Sequence, residues 1–220
     1  MQLFGYLASP YVARTVLVTR WKGSPVELAP PPGGSIKSDE YLAINPLGKM
    51  PALEAGGRHL AESTVICEYL DETLPGRRLL PDDPMDRAQS RLLARLLDTY
   101  VVTHFGALFR NANPARRNDA EVEAAIAALR ANLAHVEHFM GRGPWTLGDE
   151  PGFADAILAP TFFVAFALLP MFGGRHDLLE GLPKLARWWQ AVEADPVSGT
   201  LKREYDAAFK AFLASRLKAA

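Results

Sequence analysis

From Ala156 to Gly174 the chain runs 19 residues without a charged side chain, bounded by Asp155 and Arg175. That length is close to what a bilayer demands of a spanning helix. The run contains Pro160, Thr161 and Pro170, ends on two glycines, and sits in a chain whose mean hydropathy is neutral. A helix apolar on every side also occurs in the core of a soluble protein. The run therefore reads as a fully buried central helix, with no membrane association.

The other bounds are consistent with that reading. Two hundred and twenty residues suffice for one large domain or two small ones. Apolar residues make up 49% and charged residues 22%, which disfavours disorder, collagen and coiled coil. The single cysteine, Cys67, excludes an internal disulfide framework and reads as a small buried hydrophobe. Lysine and arginine number 24 against 25 acidic residues, so no nucleic-acid footprint is visible. The amino terminus lacks a basic segment followed by an apolar one, and a reduced cytoplasmic setting is expected.

Two halves differ in pattern. In residues 1–80, residues 2–7 read as a strand, and Ser9-Pro10 opens a helix carrying Val12, Val16 and Trp21. Val26-Glu27-Leu28 alternates like a strand, and the proline-glycine run at 30–34 reads as loop. Gly56-Gly57 joins two short strands as a hairpin, and residues 63–74 form a helix with Val65, Ile66, Tyr69 and Leu70 on one face. This order defines a small α/β domain with a mixed sheet. Prolines at 75, 81 and 84 mark a linker. Residues 81–220 read as all-helical: 85–110, 118–140, 154–172, 183–193 and 202–217.

No glycine-rich phosphate loop and no Gly-x-Ser-x-Gly elbow is present. His135 and His138, three apart on a helix, lack a third ligand, so no metal site is expected.

Four segments in order carry a more specific signal: Ser9-Pro10-Tyr11-Val12-Ala13-Arg14; Asn45-Pro46-Leu47-Gly48-Lys49-Met50-Pro51-Ala52-Leu53; Glu62-Ser63 opening a helix; and Gly152-Phe153-Ala154-Asp155 through Pro160. Together they resemble the cytosolic glutathione S-transferases along the whole chain. The resemblance implies a thioredoxin-like amino-terminal domain (1–80) that binds glutathione, and an all-α carboxy-terminal domain (81–220) that binds substrate. Ser9-Pro10-Tyr11 with Arg14, and Lys37-Ser38, are similar to the serine-type tau and bacterial members. A cysteine in place of Ser9, as in omega relatives, would indicate thiol-disulfide exchange instead.

The resemblance implies roles that the chemistry can support. Glutathione serves as co-substrate, and its free thiol has a pKa near about 8.5. A hydroxyl donating to the sulfur at a helix N-terminus stabilises the thiolate. About 2 kcal/mol would lower the pKa by roughly 1.5 units. Ser9 is the implied catalytic hydroxyl, with Tyr6 and Tyr11 as competitors. On its own, Ser9 reads as a helix cap, which is compatible with a hydroxyl that still donates its own proton. Pro51 resembles the cis-proline of the thioredoxin fold, which would expose the Met50 backbone to glutathione; alone it reads as a trans proline at a strand start. Glu62 and Ser63 would grip the γ-glutamyl end, though an acid and a serine at a helix start are also capping chemistry. Lys37 and Lys49 are candidates for the glycyl carboxylate or are solvated lysines. Asp98 is a further option, from a partner subunit.

The second substrate, a hydrophobic electrophile, is expected between the domains. Tyr100, His104 and Leu108, at i, i+4 and i+8, would line it with Tyr11, joined by Phe162, Phe166 and Phe209, unless that stripe is packing. A homodimer is implied by the resemblance alone. Gly152 stands where the family has Ser or Thr, which removes one capping hydrogen bond and puts that helix in doubt. The alternatives are a glutathione-dependent isomerase, ether-cleaving enzyme or dehalogenase on the same fold, and a non-catalytic binding module.

Overall fold

The computed structural model describes residues 1–173 and 177–218. Gly174 and Arg175, at the far end of the uncharged run, lie outside them. The chain begins β1 (Gln2–Phe4), α1 (Pro10–Trp21), β2 (Glu27–Ala29), α2 (Asp39–Ile44), β3 (Ala52–Ala55), β4 (Arg58–Leu60) and α3 (Ser63–Thr73). The sheet order is β2-β1-β3-β4. β1 pairs parallel to β2, with Leu3 opposite Leu28, and antiparallel to β3, with Leu3 opposite Leu53. β3 and β4 form the expected hairpin, and Gly56 and Gly57 both take positive φ (58° and 75°), which such a two-residue turn requires.

Alternation along the strands decides what covers each face. Leu3 and Leu53 belong to the main core with α1 and α3, whereas Phe4 and Ala52 pack with Tyr41 of α2 in a separate cluster. α2 is capped by Ser38, whose Oγ accepts from Tyr41 N–H at 3.2 Å. The 30–34 loop holds a single 3-10 turn at Pro32–Gly34.

The remaining elements are helical: α4 (Pro84–Leu96), α5 (Phe105–Arg110), α6 (Asp119–Phe139), α7 (Phe153–Leu168), α8 (Pro183–Ala194) and α9 (Pro196–Lys218). The long helix expected over 85–110 is not uniform. A π turn at Leu97–Val101 and a 3-10 turn at Val102–His104 separate α4 from α5. Each shifts the angular position of every later side chain away from the 3.6-residue repeat.

α9 starts six residues before the expected Lys202. The missed signal is Asp195-Pro196: Asp195 Oδ2 accepts from Ser198 N–H at 2.8 Å, and Pro196 stands in the first turn.

The uncharged run forms α7 and one following 3-10 turn, Leu169–Phe172. Residues 153–165 are all buried. The segments Pro84–Arg110 and Phe153–Phe172 are long and apolar enough to cross a membrane by length and composition, and 72% of the best 18-residue window in the second is buried in the fold. α1 is its principal neighbour, and α1 also contacts α3 and α9. Val12 to Thr19 are accordingly buried on every side. Thr15 and Thr19 donate their hydroxyls to the carbonyls of Val12 and Val16, which satisfies them inside the core.

Two polar staples fix the linker and the start of α7. Lys22 Nζ, nearly buried, donates to Asp71 Oδ1 (3.1 Å), Asp71 O (2.7 Å) and Arg77 O (3.1 Å). Asp71 also accepts from Leu79 and Leu80 N–H, which pins the linker. At the start of α7, Asp155 Oδ2 accepts from Gly152 N–H at 2.7 Å. That half of the capping arrangement survives the glycine. A Cβ on Gly152 would stand 3.2 Å from Leu79 O, so the glycine lets the helix start lie close against the linker. Asp155 Oδ1 takes Thr146 N–H (2.9 Å) and Trp188 Nε1–H (2.7 Å).

Candidate active site

Ser9 stands at the N-cap of α1, with Pro10 in the first turn. Its backbone is extended (φ −85°, ψ 124°), yet its side chain makes no cap hydrogen bond. The Oγ is thus not spent on the helix, although the first-turn N–H groups and the positive end of the helix lie beside it. Two cavities meet at this point. A larger one of about 780 Å³ runs from Ser9, Pro10 and Tyr11 along α5, α7 and α9. A smaller one of about 410 Å³ is bordered by Tyr6, Leu7, Met50 and Ala208. Ala8, Ser9 and Phe212 border both.

The Met50–Pro51 bond is cis. The strand ladder begins at Ala52, which leaves the Met50 backbone outside it. The preceding carbonyl is held: Lys49 O accepts from Tyr41 Oη at 2.5 Å and from Asn45 Nδ2 at 2.8 Å. The Lys49 side chain is exposed, as is Lys37, whose Nζ lies against Gly48. Neither lysine borders the two cavities.

Glu62 is the N-cap of α3 and the one non-glycine residue with positive φ (67°) among the described residues. Such a conformation costs roughly 1–3 kcal/mol and is retained where the surroundings demand it. No sequence signal pointed to it. Glu62 is exposed, whereas Ser63 is buried, with its Oγ accepting from Arg14 Nη1 at 3.4 Å.

Arg14 ties the site together. It is fully buried on α1, five residues after Ser9. It makes a two-pronged pair with Asp98, Nη2 to Oδ1 at 2.7 Å and Nη1 to Oδ2 at 3.1 Å. Nη2 also donates to Thr161 Oγ1 of α7 at 3.1 Å, and the guanidinium lies 4.8 Å from the centroid of the Tyr11 ring. Arg14 Nε is buried without a partner among the described residues. Asp98 is thus paired with Arg14 within its own chain, at the π turn. Burial raises the Tyr11 phenol above its ordinary pKa; Arg14 opposes the rise, and the carboxylates of Asp98 and Glu62 add to it.

The expected stripe on the long helix does not line the large cavity. Tyr100 is 52% exposed, His104 Nε2 stands 3.1 Å from Asn132 Nδ2 of α6, and Leu108 is in the core. The non-α turns across 97–104 break the i, i+4, i+8 register on which that expectation stood. Val102, Phe105 and Phe109 take the position instead. Of the three phenylalanines named from later helices, Phe209 borders the cavity. Phe162 is packed against Trp188 and Trp189, and Phe166 faces a separate cleft on α9. Tyr6 is half exposed and donates to Gly34 O at 3.4 Å, on the side of the smaller cavity. Cys67 is fully buried, and burial pushes its thiol well above the usual range. His135 and His138 are exposed, and no group of three metal-ligating side chains is present among the described residues.

A mixed four-stranded sheet with a cis-proline loop, joined to a helical bundle with a cavity over the first helix, defines a class that comparison then makes explicit. Residues 3–78 match the family model "Glutathione S-transferase, N-terminal domain", and residues 119–191 match "Glutathione S-transferase, C-terminal domain". A probable glutathione S-transferase of Nicotiana tabacum is 31% identical, covering 98% of this chain and 97% of that protein. A maleylacetoacetate isomerase of Pseudomonas aeruginosa is 32% identical over 75% of this chain and 81% of that protein. The solved structure of a tau class glutathione S-transferase from mango, Mangifera indica, superposes with a TM-score of 0.78 at 27% identity, covering 98% of this chain and 97% of that one. The chain belongs to the cytosolic glutathione S-transferase family, and glutathione is its co-substrate.

Proposed function

We propose that this glutathione S-transferase activates the glutathione thiol with the Ser9 hydroxyl and directs the thiolate at an apolar electrophile in the large cavity. The observation that carries the reading is the Ser9 side chain, left uncapped at the start of α1 where the two cavities meet. A thiolate there receives a hydroxyl hydrogen bond and the positive end of the helix together. The Met50 backbone beyond cis-Pro51 is free to pair with the cysteinyl segment. Glu62 and Ser63 suit the γ-glutamyl end, one by charge and the other by its place at the start of α3; the unusual backbone of Glu62 supports a role in binding. Lys37 and Lys49 remain the cations for the glycyl carboxylate. Tyr11 contacts the second substrate, whereas Tyr6 is a weaker rival to Ser9 because its hydroxyl is turned toward Gly34.

The deciding experiment is ultraviolet titration of the bound glutathione thiolate. An apparent pKa more than one unit below that of free glutathione, returned toward it in Ser9→Ala, is expected. Equal values in both proteins would sink Ser9 as the activating group.

The isomerase, ether-cleaving, dehalogenase and binding-module alternatives are not favoured over this reading. The division into a glutathione-binding part (1–80) and a substrate-binding part (81–220), a detoxification role, a cytoplasmic location and a homodimer belong to the same proposal. Exposed Val65 on α3, Met85 on α4 and Tyr100 on the π turn offer apolar area for a second copy. Sedimentation as a 24.1 kDa species would refute the dimer.

A further inference from the structure

We propose that the second substrate reacts at its middle: its electrophilic carbon lies between two apolar arms, one arm in each of the two cavities that meet at Ser9. The class is an electrophile with an aromatic group on either side of the reacting centre. The inference rests on the sulfur of glutathione lying at Ser9, and it is tested apart from that reading. Ser9 borders both the cavity of about 780 Å³ and the cavity of about 410 Å³. A carbon within reach of that sulfur therefore has apolar space in two directions. An arm on one side alone leaves the other apolar wall facing water, whereas a second arm covers it.

The smaller cavity suits such an arm. Its size falls within the range of about 300–1,000 Å³ usual for small-molecule sites. Leu7, Ala8, Met50, Ala208 and Phe212 give it an apolar wall, and among the described residues no charged side chain borders it. Tyr6 adds its ring there, with its hydroxyl directed to Gly34 O. Glutathione has charged ends, and the groups that suit them, Glu62, Ser63, Lys37 and Lys49, border neither cavity.

α9 shapes the division. Tyr205, Ala208, Phe209 and Phe212 follow one another at i, i+3, i+4 and i+7, along one face of the helix. The Phe212 ring, which borders both cavities, lies 6.1 Å from that of Phe209, and Phe209 stacks on Tyr205 at 5.6 Å. The partition is thus anchored in an aromatic ladder. Ala208 is the small member of that face and borders the smaller cavity only. Its methyl group leaves open the space that a larger side chain there would fill.

The test is calorimetric binding of two neutral, saturated ketones to the glutathione-loaded protein. Dihydrochalcone carries a ring on each arm; benzylacetone has a methyl group in place of one ring. The unaltered protein is expected to bind dihydrochalcone roughly tenfold or more tightly than benzylacetone, as burial of one further ring allows. In Ala208→Phe the ratio should fall to about one, because the added ring takes the place of the second arm. The affinities for benzylacetone and for glutathione should stay unchanged, which also shows that the variant is folded. Should the larger ring unsettle α9, Ala208→Leu fills the same space less completely and should at least halve the ratio. A ratio near one in the unaltered protein, or no binding of either ketone, would overturn the proposal. So would a ratio that survives both substitutions, which would put both rings in the large cavity. A loss of glutathione affinity in a folded Ala208 variant would assign the smaller cavity to the tripeptide and overturn it equally. The thiolate attacks neither ketone, so failure of Ser9 as the activating group, seen in the thiolate titration, is distinguishable from failure here.

Discussion

Two buried charged groups, one on α1 against the middle of α7 and one in the first turn of α7, are compensated differently. Arg14 is fully buried and meets a carboxylate, a serine and a threonine. Asp155 is 1% exposed and, among the described residues, meets dipoles: two backbone N–H groups, the Trp188 indole and the Thr146 hydroxyl. The first sits under the active site and joins α1, α3, α7 and the π turn. The second joins α7, α8 and the 141–151 loop, away from the Ser9 cavities. Burial penalises Asp155 more than its hydrogen-bond donors reward it, and its pKa is pushed up to about 6. Equal burial thus produces a charge pair that organises the site in one place and a pH-sensitive staple in the other.

The largest expected effect comes from breaking the compensated centre. Arg14→Met strands Asp98 and unpairs Ser63 and Thr161. Removing one partner of a buried pair costs about 3–5 kcal/mol; the low end is expected, because the Asp98 side chain keeps 29% exposure. Urea unfolding measures this. A loss under about 1 kcal/mol would mean that the pair holds nothing together.

Next comes the uncompensated centre. The folded pKa of Asp155 lies above its unfolded value of 3.8. The native state therefore binds the proton more tightly, and stability from this group falls as pH rises through about 4 to 6, then levels off. The shift corresponds to at most about 3 kcal/mol. Unfolding free energies across that window should decline in the unaltered protein relative to Asp155→Asn. Parallel curves would show that the carboxyl is not perturbed.

Ser9→Ala sharpens the contrast, since it touches neither centre. Replacing an ordinary cap costs about 1 kcal/mol. Ser9 makes no cap hydrogen bond, so stability should change by less than roughly 0.5 kcal/mol, while kcat/KM near neutral pH should fall on the order of tenfold. Differential scanning alongside steady-state kinetics separates the two. The smallest effect is expected from Tyr100→Ala and His104→Ala, which lie off the cavity; KM for an apolar electrophile should move less than about twofold, within what a surface change produces.

How legible these features are depends on their range along the chain. Ser9-Pro10, the Gly56-Gly57 turn and the start of α3 at Ser63 are local signals, and the elements begin and end close to where those signals lie. The missed wall of the cavity has a local cause that the pattern conceals. Nothing in Leu97-Asp98-Thr99-Tyr100-Val101 announces a π turn, yet it exchanges Tyr100 and His104 for Phe105 and Phe109. Arg14 was readable as part of a motif but not as a hub, because its partners stand 49, 84 and 147 residues away.

By itself, the sequence determined the two patterns, the mixed strand–helix half and the helical half, together with the buried course of the uncharged run, because periodicity, caps and apolar excess act over a few residues. Tertiary structure decided which groups share the site. Only packing α1 between the sheet, α3 and α7 brings Asp98, Ser63 and Thr161 to one guanidinium, and only the docking of α9 closes the cavity with Phe209 and Phe212. Those contacts depend on helix angles and registers, which no short stretch of residues encodes.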